Sequence, residues 1–521
     1  MNDQYLMAVD AGTGSVRAVL FNTKGEETGH AQREWVHVED PRYPGSMDFN
    51  WVHNWDLACE CIKEVIKKVS ITPGDIAAVS TTSMREGIVL YNKEGDEIWA
   101  CANVDARSND EVAYLVKNDP DLERVIYGIS GQTYALGALP RLLWVKNKLP
   151  EVYAQTAQMS MFNDWLTYKM TGILASEPSN GCTTGIFDLN KRTWDTSITE
   201  KIGLRTDIFP PVVECGSIIG GVHTRGAADT GLKEGTVVVA GGGDAQLGCI
   251  GVGVVDNNQA AVFGGSFWQY EYNTNTCKTD NDVRIRINCH GIPSLWQYEA
   301  LAFKPGLAMR WYRDTFCQEE IEKAKVLETS AYDLMNEKAA NIPAGCYGMM
   351  CTFSDVMNYI SWKHAAPTFT NFDFDPQKFS KYTFYRAIME NTAMVTKGHL
   401  NLVWEATGNK PDAIVFAGGA SRSALWCQIL SDVLGLPVKV PVVKEATALG
   451  TAILAGYGIG LYKDISETAR NLVIWENTYQ PNKKNHKKYN EIYGPWRELY
   501  KAQLELSDKH ITRYMWAAPG L

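Results

Sequence analysis

The order of strands and helices at the start of the chain restricts the fold more than any other feature of the sequence. From residue 5 onward, three stretches are joined by short glycine-containing turns: YLMAVDAG, SVRAVLFN and EETGHAQREW. This pattern predicts three antiparallel strands. NWDLACECIKEVIKKV, with apolar residues at helical spacing, and the strand-like IAAVSTTS follow. The predicted order β-β-β-α-β differs from the alternating strands and helices of a Rossmann fold.

A related pattern starts again in the second half of the chain. Apolar stretches end in glycines in TVVVAGGGDAQLG, in QAAVFGGSFWQYEYN and, after a long helical stretch, in DAIVFAGGASRSALWCQIL. A chain of 521 residues is also too long for a single hydrophobic core. We therefore predict an α/β protein of two similar lobes with a cleft between them, comprising residues 1–254 and 255–521, with the boundary near Val252–Asn257.

Charge and cysteine content restrict the partners and the compartment. A formal net charge of −10 argues against a nucleic-acid surface, which needs concentrated Lys and Arg. The twelve cysteines form no CxxC pair, which argues against a zinc or haem site and suits a reducing cytoplasm. Neither a signal peptide nor a membrane span is recognisable. We predict a cytoplasmic protein without nucleic-acid or membrane partners.

The first candidate site is the turn in DAGTGSVRA. Its glycines allow backbone amides to converge on phosphate oxygens, and Thr13, Ser15 and Arg17 can add side-chain donors around Gly14. Asp10, at the end of the preceding strand, could hold Mg²⁺ directly or through water. The alternative is a tight hairpin turn with a solvated aspartate. The P-loop pattern GxxxxGK[ST] does not occur in the sequence.

Two further glycine turns are candidates for nucleotide binding. FGGSFWQ can supply amides from the second lobe, and VFAGGASRS combines a strand end with a helix predicted to begin near Ser421. The alternative for the latter is helix-on-sheet packing that needs small residues. The candidate residues are Gly264, Gly265, Ser266, Gly418, Gly419 and Ser421.

Asp244 is the candidate general base. It follows three glycines at a predicted strand end, and a kinase that acts on an alcohol needs a group that accepts the hydroxyl proton. The alternative is an aspartate that caps the next helix. Arg85 and Glu86 enter an apolar strand, and Asp105 follows nearby, so these three could bind a substrate rich in oxygens. A structural ion pair is the alternative for Arg85 and Glu86.

Taken in order, and together with KEATALGTAILAG near the end, these motifs resemble the carbohydrate kinase family that includes glycerol kinase and xylulokinase. The resemblance covers essentially the whole chain and implies two lobes of the ribonuclease-H/actin type that close over ATP, Mg²⁺ and a small substrate. It implies phosphate contacts from residues 13–17 and 264–266, adenosine contacts from residues 418–421, and substrate contacts from Arg85, Glu86 and Asp105. Asp244 matches the family's base, with Asp10 and Asp244 beside the metal, and Glu445 is expected to be structural.

One departure from the family pattern narrows the expected substrate. Many sugar kinases carry a GER motif where this chain has MMCTFSDVMNYISWKHAAP. SMREGIVLYN, WACANVDARS and the ending WAAPGL resemble a subgroup that phosphorylates the terminal hydroxyl of 4,5-dihydroxy-2,3-pentanedione, a quorum-sensing signal. The subgroup also suggests a sugar-transport phosphocarrier protein as a regulator. The alternatives are a pentulose or polyol kinase and, in another class, an actin-type nucleotide-gated sensor or scaffold.

Overall fold

Two mixed β-sheets, one in each half of the chain, organise this computed structural model, which describes residues 4–135 and 137–521. The strands of the described residues are β1 Tyr5–Ala11, β2 Ser15–Asn22, β3 Glu27–Glu34, β4 Ile76–Ser83, β5 Ile88–Tyr91, β6 Glu97–Cys101, β7 Gln158–Ser160, β8 Phe187–Asp188, β9 Thr193–Trp194, β10 Ile218–Gly221, β11 Val237–Gly243, β12 Ala260–Gly264, β13 Trp268–Thr274, β14 Arg286–Cys289, β15 Trp296–Ala302, β16 Met350–Thr352, β17 Lys363–Ala365, β18 Thr368–Thr370, β19 Ile414–Ala417, β20 Val438–Pro441, β21 Trp475–Tyr479 and β22 Tyr514–Ala517.

Helices cover both sheets. The α-helices of the described residues are α1 Trp51–Val69, α2 Asn109–Asn118, α3 Leu122–Ser130, α4 Ala138–Lys148, α5 Pro150–Gln155, α6 Phe162–Thr171, α7 Pro178–Gly181, α8 Thr196–Lys201, α9 Thr224–Thr230, α10 Asp244–Gly251, α11 Pro305–Phe316, α12 Gln318–Val326, α13 Ala331–Ala339, α14 Lys381–Thr407, α15 Ala424–Leu434, α16 Ala446–Gly458, α17 Ile465–Leu472 and α18 Lys483–Asp508. Short 3₁₀ turns occupy Pro73–Asp75, Cys182–Thr184, Cys346–Gly348 and Gly419–Arg422.

The first sheet has the strand order β10-β11-β4-β1-β2-β3. β1 pairs antiparallel with β2 and parallel with β4, and β4 pairs parallel with β11. The predicted order β-β-β-α-β is confirmed by β1, β2, β3, α1 and β4. Because parallel strands end at the same edge of a sheet, the residues that follow β1, β4 and β11 lie along one edge.

The second sheet repeats this arrangement in the order β14-β15-β13-β12-β19-β20-β21. β12 pairs antiparallel with β13 and parallel with β19, as β1 pairs with β2 and β4. The carboxyl ends of β12 and β19 are therefore adjacent. Each half has its own buried core, which confirms the predicted α/β class with two sheet-based lobes.

Helix α1 forms because its apolar side chains recur at helical spacing and cover one face of the first sheet. Trp55, Cys59, Ile62 and Ile66 are buried on that face. The helix begins at the Asn50 cap, whose side chain accepts a hydrogen bond from the His53 N–H at 3.1 Å.

Helices α10 and α16 cross between the two halves at an unusually short distance. A Cβ atom on Gly251 would lie 1.8 Å from the Ala446 carbonyl oxygen, and one on Gly450 would lie 1.9 Å from the Leu247 carbonyl oxygen. Only glycine fits at both positions. The side chains of α16 pack on the first sheet, around Leu6 and Val239, although α16 belongs to the second half of the chain.

The predicted boundary between residues 254 and 255 lies after α10 and before β12, and it stays a prediction. Among the described residues, no helix combines the length and the apolar character that crossing a membrane requires.

Candidate active site

Asp244 owes its position to the three glycines that precede it. A Cβ atom on Gly241 would lie 1.5 Å from the Thr81 carbonyl oxygen, and one on Gly242 would lie 2.4 Å from the Ser179 hydroxyl. The bare backbone therefore lets β11 pack closely against β4 and α7. Asp244 is the first residue of α10, with Gly243 as the N-cap, and its Oδ1 accepts a hydrogen bond from the Ala245 N–H at 2.8 Å. Its side chain remains 37% exposed.

Arg85 is the charged partner of Asp244. Its Nε lies 3.2 Å from Asp244 Oδ1, and the arginine is only 6% exposed. Burial raises the pKa of Asp244, and the positive charge of Arg85 acts in the opposite direction. The structure thus brings together two predicted site residues, the candidate base and one candidate substrate ligand.

Asp10, at the end of β1, is the second carboxylate at this edge of the sheet. Burial raises its pKa to about 7, and the negative charge of Asp244 adds to the effect. Asp10 Oδ1 is buried without a hydrogen-bond partner among the described residues. An unpartnered carboxylate oxygen of this kind suits a cation, since Mg²⁺ prefers one or two protein carboxylates together with water and phosphate oxygens. No group of three or more His, Cys, Asp or Glu side chains in the described chain could hold a metal ion.

The turn between β1 and β2 is held by hydrogen bonds to its backbone carbonyls, and it has free space beside Gly14. The Gly12 N–H donates to the Ser15 carbonyl at 2.9 Å, and the Trp35 N–H donates to the Gly14 carbonyl at 3.1 Å. The Thr13 carbonyl accepts from His37 Nε2 at 2.6 Å. A Cβ atom on Gly14 would meet nothing within 4 Å. The turn therefore has room for a ligand on its outer side.

The second and third glycine turns lie side by side because β12 and β19 are parallel neighbours. Gly418 has a φ of +87°, and a Cβ atom there would lie 2.7 Å from the Gly264 carbonyl oxygen. Gly265, Ser266 and Gly419 are exposed. The two turns thus lie against each other, and each has exposed residues.

Ser421 belongs to a 3₁₀ turn rather than to the start of a helix. Its hydroxyl donates to the Gly418 carbonyl at 2.8 Å, and α15 begins three residues later, with the Ser423 side chain accepting from the Trp426 N–H at 3.2 Å. The helix start expected near Ser421 is therefore displaced to Ala424.

A cavity of about 660 Å³ lies beside this third turn. Part of its wall comes from the segment that continues the turn, and the facing wall comes from α13 and the residues after it. The lining residues are Asp333, Asn336, Glu337, Ala340, Ile342, Pro343, Ala344, Arg386, Arg422, Ala424, Leu425, Gln428, Ile429, Asp432 and Asn485.

Arg17 connects the first phosphate turn to the other half of the chain. Its Nη1 lies 2.7 Å from Glu445 Oε2, immediately before α16. Both side chains are about a third exposed, so the pair contributes little to stability by itself. The structural role expected of Glu445 stays a prediction.

Glu86 points away from solvent and into the second half of the chain. It has a φ of +71°, unusual for a residue with a side chain, and its Oε1 lies 2.6 Å from Arg286 Nη2. Arg286 Nη1 in turn lies 3.0 Å from Glu299 Oε1, and Glu299 Oε2 pairs with Arg85. Four buried charges therefore link the two halves behind Asp244.

Asp105 is placed differently from Arg85 and Glu86. Its Oδ2 accepts hydrogen bonds from the Met47 N–H at 2.6 Å and from Arg107 Nε at 2.8 Å. Both donors belong to the first half of the chain, and the Asp105 side chain is fully buried. The structure does not bring Asp105 into the network of Arg85 and Glu86, and its role as a substrate ligand stays a prediction.

Several residues at the site were missed by the sequence analysis. Arg141 donates to the Asn103 and Asp105 carbonyls at 2.7 and 2.9 Å and also to the Glu86 carbonyl, so it holds both candidate substrate segments together. Asn103 Nδ2 donates to Thr13 Oγ1 at 3.0 Å. A lone arginine in the apolar stretch ALPRLLWV was the available signal for Arg141.

Gln132, Arg286 and Glu299 were also missed, because their partners lie far away in the sequence. Arg286 Nε donates to Gln132 Oε1 at 2.8 Å, across 154 positions of the chain. The available signal for Arg286 and Glu299 was a charged residue in each of two largely apolar stretches, IRINC and YEALA.

Comparison with known proteins places this geometry in a family. The N-terminal domain of the FGGY family of carbohydrate kinases matches residues 5–251, and the C-terminal domain of that family matches residues 272–459. A protein from Photorhabdus laumondii named autoinducer-2 kinase is 49% identical over 99% of this chain and 98% of its own length. A protein of the same name from Klebsiella pneumoniae is 48% identical over 99% of this chain and 97% of its own length.

Solved structures share the fold at much lower identity. A xylulose kinase from Rhodospirillum rubrum superposes with a TM-score of 0.84 at 22% identity, over 96% of this chain and 99% of that one. A glycerol kinase from Plasmodium falciparum, solved with ADP, superposes with a TM-score of 0.81 at 17% identity, over 96% and 98%. These structures confirm the predicted two-lobed actin-like fold. Sequence along the whole chain and overall architecture agree: the chain belongs to the FGGY family of carbohydrate kinases.

Proposed function

We propose that the chain is an autoinducer-2 kinase, which transfers the γ-phosphoryl group of ATP to the terminal (C5) hydroxyl of 4,5-dihydroxy-2,3-pentanedione in quorum-sensing signal processing. The observation that carries this proposal is the identity of 48–49% to proteins of that name along almost the whole chain. The FGGY fold alone supports a carbohydrate kinase of any specificity, since solved neighbours include xylulose, gluconate and glycerol kinases.

Asp244 is the proposed general base. Its carboxylate is partly exposed and carries a raised pKa, which improves its ability to accept a proton from an attacking hydroxyl. Arg85, at 3.2 Å, favours the ionised form that can accept this proton. The hydroxyl oxygen then attacks the γ-phosphorus as its O–H bond breaks toward Asp244.

The three glycine turns are the proposed phosphate and nucleotide contacts. The first turn supplies Thr13, Gly14, Ser15 and Arg17 from one half of the chain, and the second supplies residues 264–266 from the other. Gly14 in the first turn and Gly265 and Ser266 in the second are exposed, so anionic phosphate oxygens can approach both turns. The cavity beside Gly418, Gly419 and Ser421 has a volume suited to a small molecule, and we assign it to the adenosine part of ATP.

Asp10, with Asp244 nearby, is the proposed site for Mg²⁺, because Asp10 Oδ1 is buried without a partner in the described chain. Bound there with ATP, the ion would neutralise charge on the phosphate oxygens. Asp10 itself would orient the ion through this oxygen, and the neighbouring Arg17 limits the net negative charge at the site.

The proposed substrate ligands remain Arg85, Glu86 and Asp105. We add Asn103, whose side chain contacts Thr13 in the first glycine turn. Asn103 Oδ1 is buried without a partner among the described residues, so it can accept a hydrogen bond from a substrate hydroxyl. Such fixed donors and acceptors discriminate strongly against analogues that leave them unpaired.

We propose a cytoplasmic location for two reasons. None of the twelve cysteines, all of which lie in the described residues, forms a disulfide, and the proposed reaction uses ATP. The phosphocarrier protein stays a prediction as a regulator.

Product analysis tests the proposal. We expect ³¹P and ¹³C NMR after incubation with Mg-ATP and autoinducer-2 to show a phosphate ester at the C5 oxygen, and Asp244→Asn to give little of it. Phosphorylation of xylulose or glycerol but not of autoinducer-2 would support the pentulose or polyol kinase alternative. Nucleotide binding without phosphorylation of any of these compounds would support the sensor or scaffold alternative.

A further inference from the structure

Three buried ionisable residues form a row across the second sheet. Arg286 on β14 and Glu271 on β13 are each directly opposite Glu299 on β15 in the strand register. Arg286 is 3% exposed, and both glutamates are 0% exposed. Placing two carboxyl groups side by side in a sheet interior is costly, so this row calls for a physical explanation.

Glu299 is connected to the candidate base, Asp244, through a single intervening side chain, that of Arg85. Its Oε1 is 3.0 Å from Arg286 Nη1, and its Oε2 pairs with Arg85 Nη1. The Nε atom of Arg85 lies 3.2 Å from Asp244 Oδ1. The Arg85 guanidinium is therefore held between a carboxylate of the second sheet and the base at the end of β11.

The two glutamates differ in their partners and in their charge. The two arginines outweigh the effect of burial and lower the pKa of Glu299. Neither carboxyl oxygen of Glu271 receives a hydrogen bond from a donor in the described part of the chain, and burial together with the charge of Glu299 raises its pKa well above the usual value. These opposite shifts favour the ionised form of Glu299 and the protonated form of Glu271. A glutamine therefore mimics Glu271 but not Glu299.

We propose that Glu299 is a positioning residue for phosphoryl transfer, which holds the Arg85 guanidinium from the opposite half of the molecule so that Asp244 faces the substrate hydroxyl. Without the Glu299 carboxylate, Arg85 would keep Asp244 as its strongest partner and would turn toward it. Asp244 would then be engaged by Arg85 instead of by the hydroxyl. The reaction that Glu299 supports is the one given under the proposed function. The contacts that connect Glu299, Arg85 and Asp244 are those of the described residues.

Two matched variants distinguish this positioning role from the general effect of changing a buried carboxyl group. Glu299→Gln should lower kcat by about 10–100-fold, as loss of an outer partner of a functional group typically does, and should change the KM for ATP by less than about threefold. Glu271→Gln, at an equally buried position directly opposite, should keep kcat within about threefold of wild type. Equal loss in both variants, or wild-type kcat in Glu299→Gln, would overturn the proposal.

A double-mutant cycle with Arg85→Lys tests whether Glu299 acts through Arg85. In the Arg85→Lys background, the Glu299→Gln change should cost less than about threefold in kcat, because the guanidinium to be held is absent. Additive losses would overturn the proposal. If Glu299→Gln does not fold, the cycle is run with Glu299→Asp, which keeps the charge, under the same criterion.

The cycle is measured with whichever substrate the wild-type enzyme turns over fastest. Failure of the wild type to phosphorylate autoinducer-2 would count against the proposed function and leave the cycle valid. Additivity in an enzyme that does phosphorylate autoinducer-2 would count against Glu299 alone.

Discussion

Asp244 illustrates how local sequence and distant partners combine at a single residue. The three preceding glycines, visible in the sequence, place it at the end of β11. Its partner Arg85 lies 159 positions away, and the charge behind Arg85 comes from Glu299, in the other half of the chain. Local motifs therefore predicted the candidate base and the glycine turns. They could not predict Arg286 and Glu299, whose roles arise only when strands from the two halves meet.

Asp244→Asn should lower kcat by about 10²–10⁴-fold, the usual contribution of general-base catalysis. The asparagine Oδ1 can still accept the hydrogen bond from the Ala245 N–H, so folding and ATP binding should be kept. Steady-state kinetics and nucleotide titration check both expectations. A variant that retains more than about a tenth of wild-type kcat would contradict the assignment, since a tenfold change corresponds to only about 1.4 kcal/mol.

Gly419→Leu tests the third glycine turn. A Cβ atom at this exposed position meets nothing closer than the Gly264 carbonyl oxygen at 4.0 Å, so the backbone leaves room for the first atom of a side chain. The leucine would occupy the space expected for the nucleotide. The KM for ATP should rise by about tenfold or more, and the KM for the second substrate should change little. Equal effects on both substrates would indicate that the turn serves packing instead.

At the scale of elements, the predicted order of strands in the first lobe is confirmed, and most differences concern where helices begin. Asp244 was a possible cap but is the first residue of α10, and α15 starts at Ala424 after a 3₁₀ turn. Helix ends depend on which backbone groups find partners, and these partners are set by packing. The buried helix expected from KEATALGTAILAG is α16, but its packing on the first sheet was not foreseen.

Gly450→Ala should separate α10 from α16, because its Cβ would lie 1.9 Å from the Leu247 carbonyl oxygen. We expect the free energy of unfolding to fall by about 1–3 kcal/mol, as overpacking typically costs. The kcat should also fall, since Thr447 on α16 donates to the Asp244 carbonyl at 3.2 Å.

Gly128→Ala is the matched control, in the exposed interior of α3, where a Cβ meets nothing within 4 Å. It should raise the free energy of unfolding by about 0.5–1 kcal/mol. Similar urea unfolding curves for the two variants would contradict the tight helix crossing.

At the scale of the whole molecule, buried neutral histidines predict acid sensitivity. Burial lowers the pKa of His290, His364 and His399 to about 3. His364 Nε2 accepts a hydrogen bond from Trp362 Nε1 at 2.8 Å, which requires an unprotonated nitrogen. Below a pH of about 6.5 the unfolded chain binds protons that the folded chain does not bind, so stability falls as the pH falls.

His364→Gln should reduce this loss. Between pH 7.5 and 5.5, the wild-type free energy of unfolding should fall by about 1.4 kcal/mol more than that of the variant, because a group of unfolded pKa 6.5 loses about that much over this interval when it stays neutral in the folded state. Urea unfolding at both pH values measures the difference. His53→Gln, at an exposed position on α1, should behave as wild type. The same pH dependence in His364→Gln as in wild type would contradict a neutral His364.

The substrate is the central claim for the molecule, and kcat/KM measured at fixed Mg-ATP for autoinducer-2, xylulose, ribulose and glycerol tests it most directly. Autoinducer-2 should give the highest value, because a site built from fixed donors and acceptors rejects ligands that leave them unpaired. A value for xylulose, ribulose or glycerol that exceeds that for autoinducer-2 by tenfold or more would contradict the account, although membership of the FGGY family would stand.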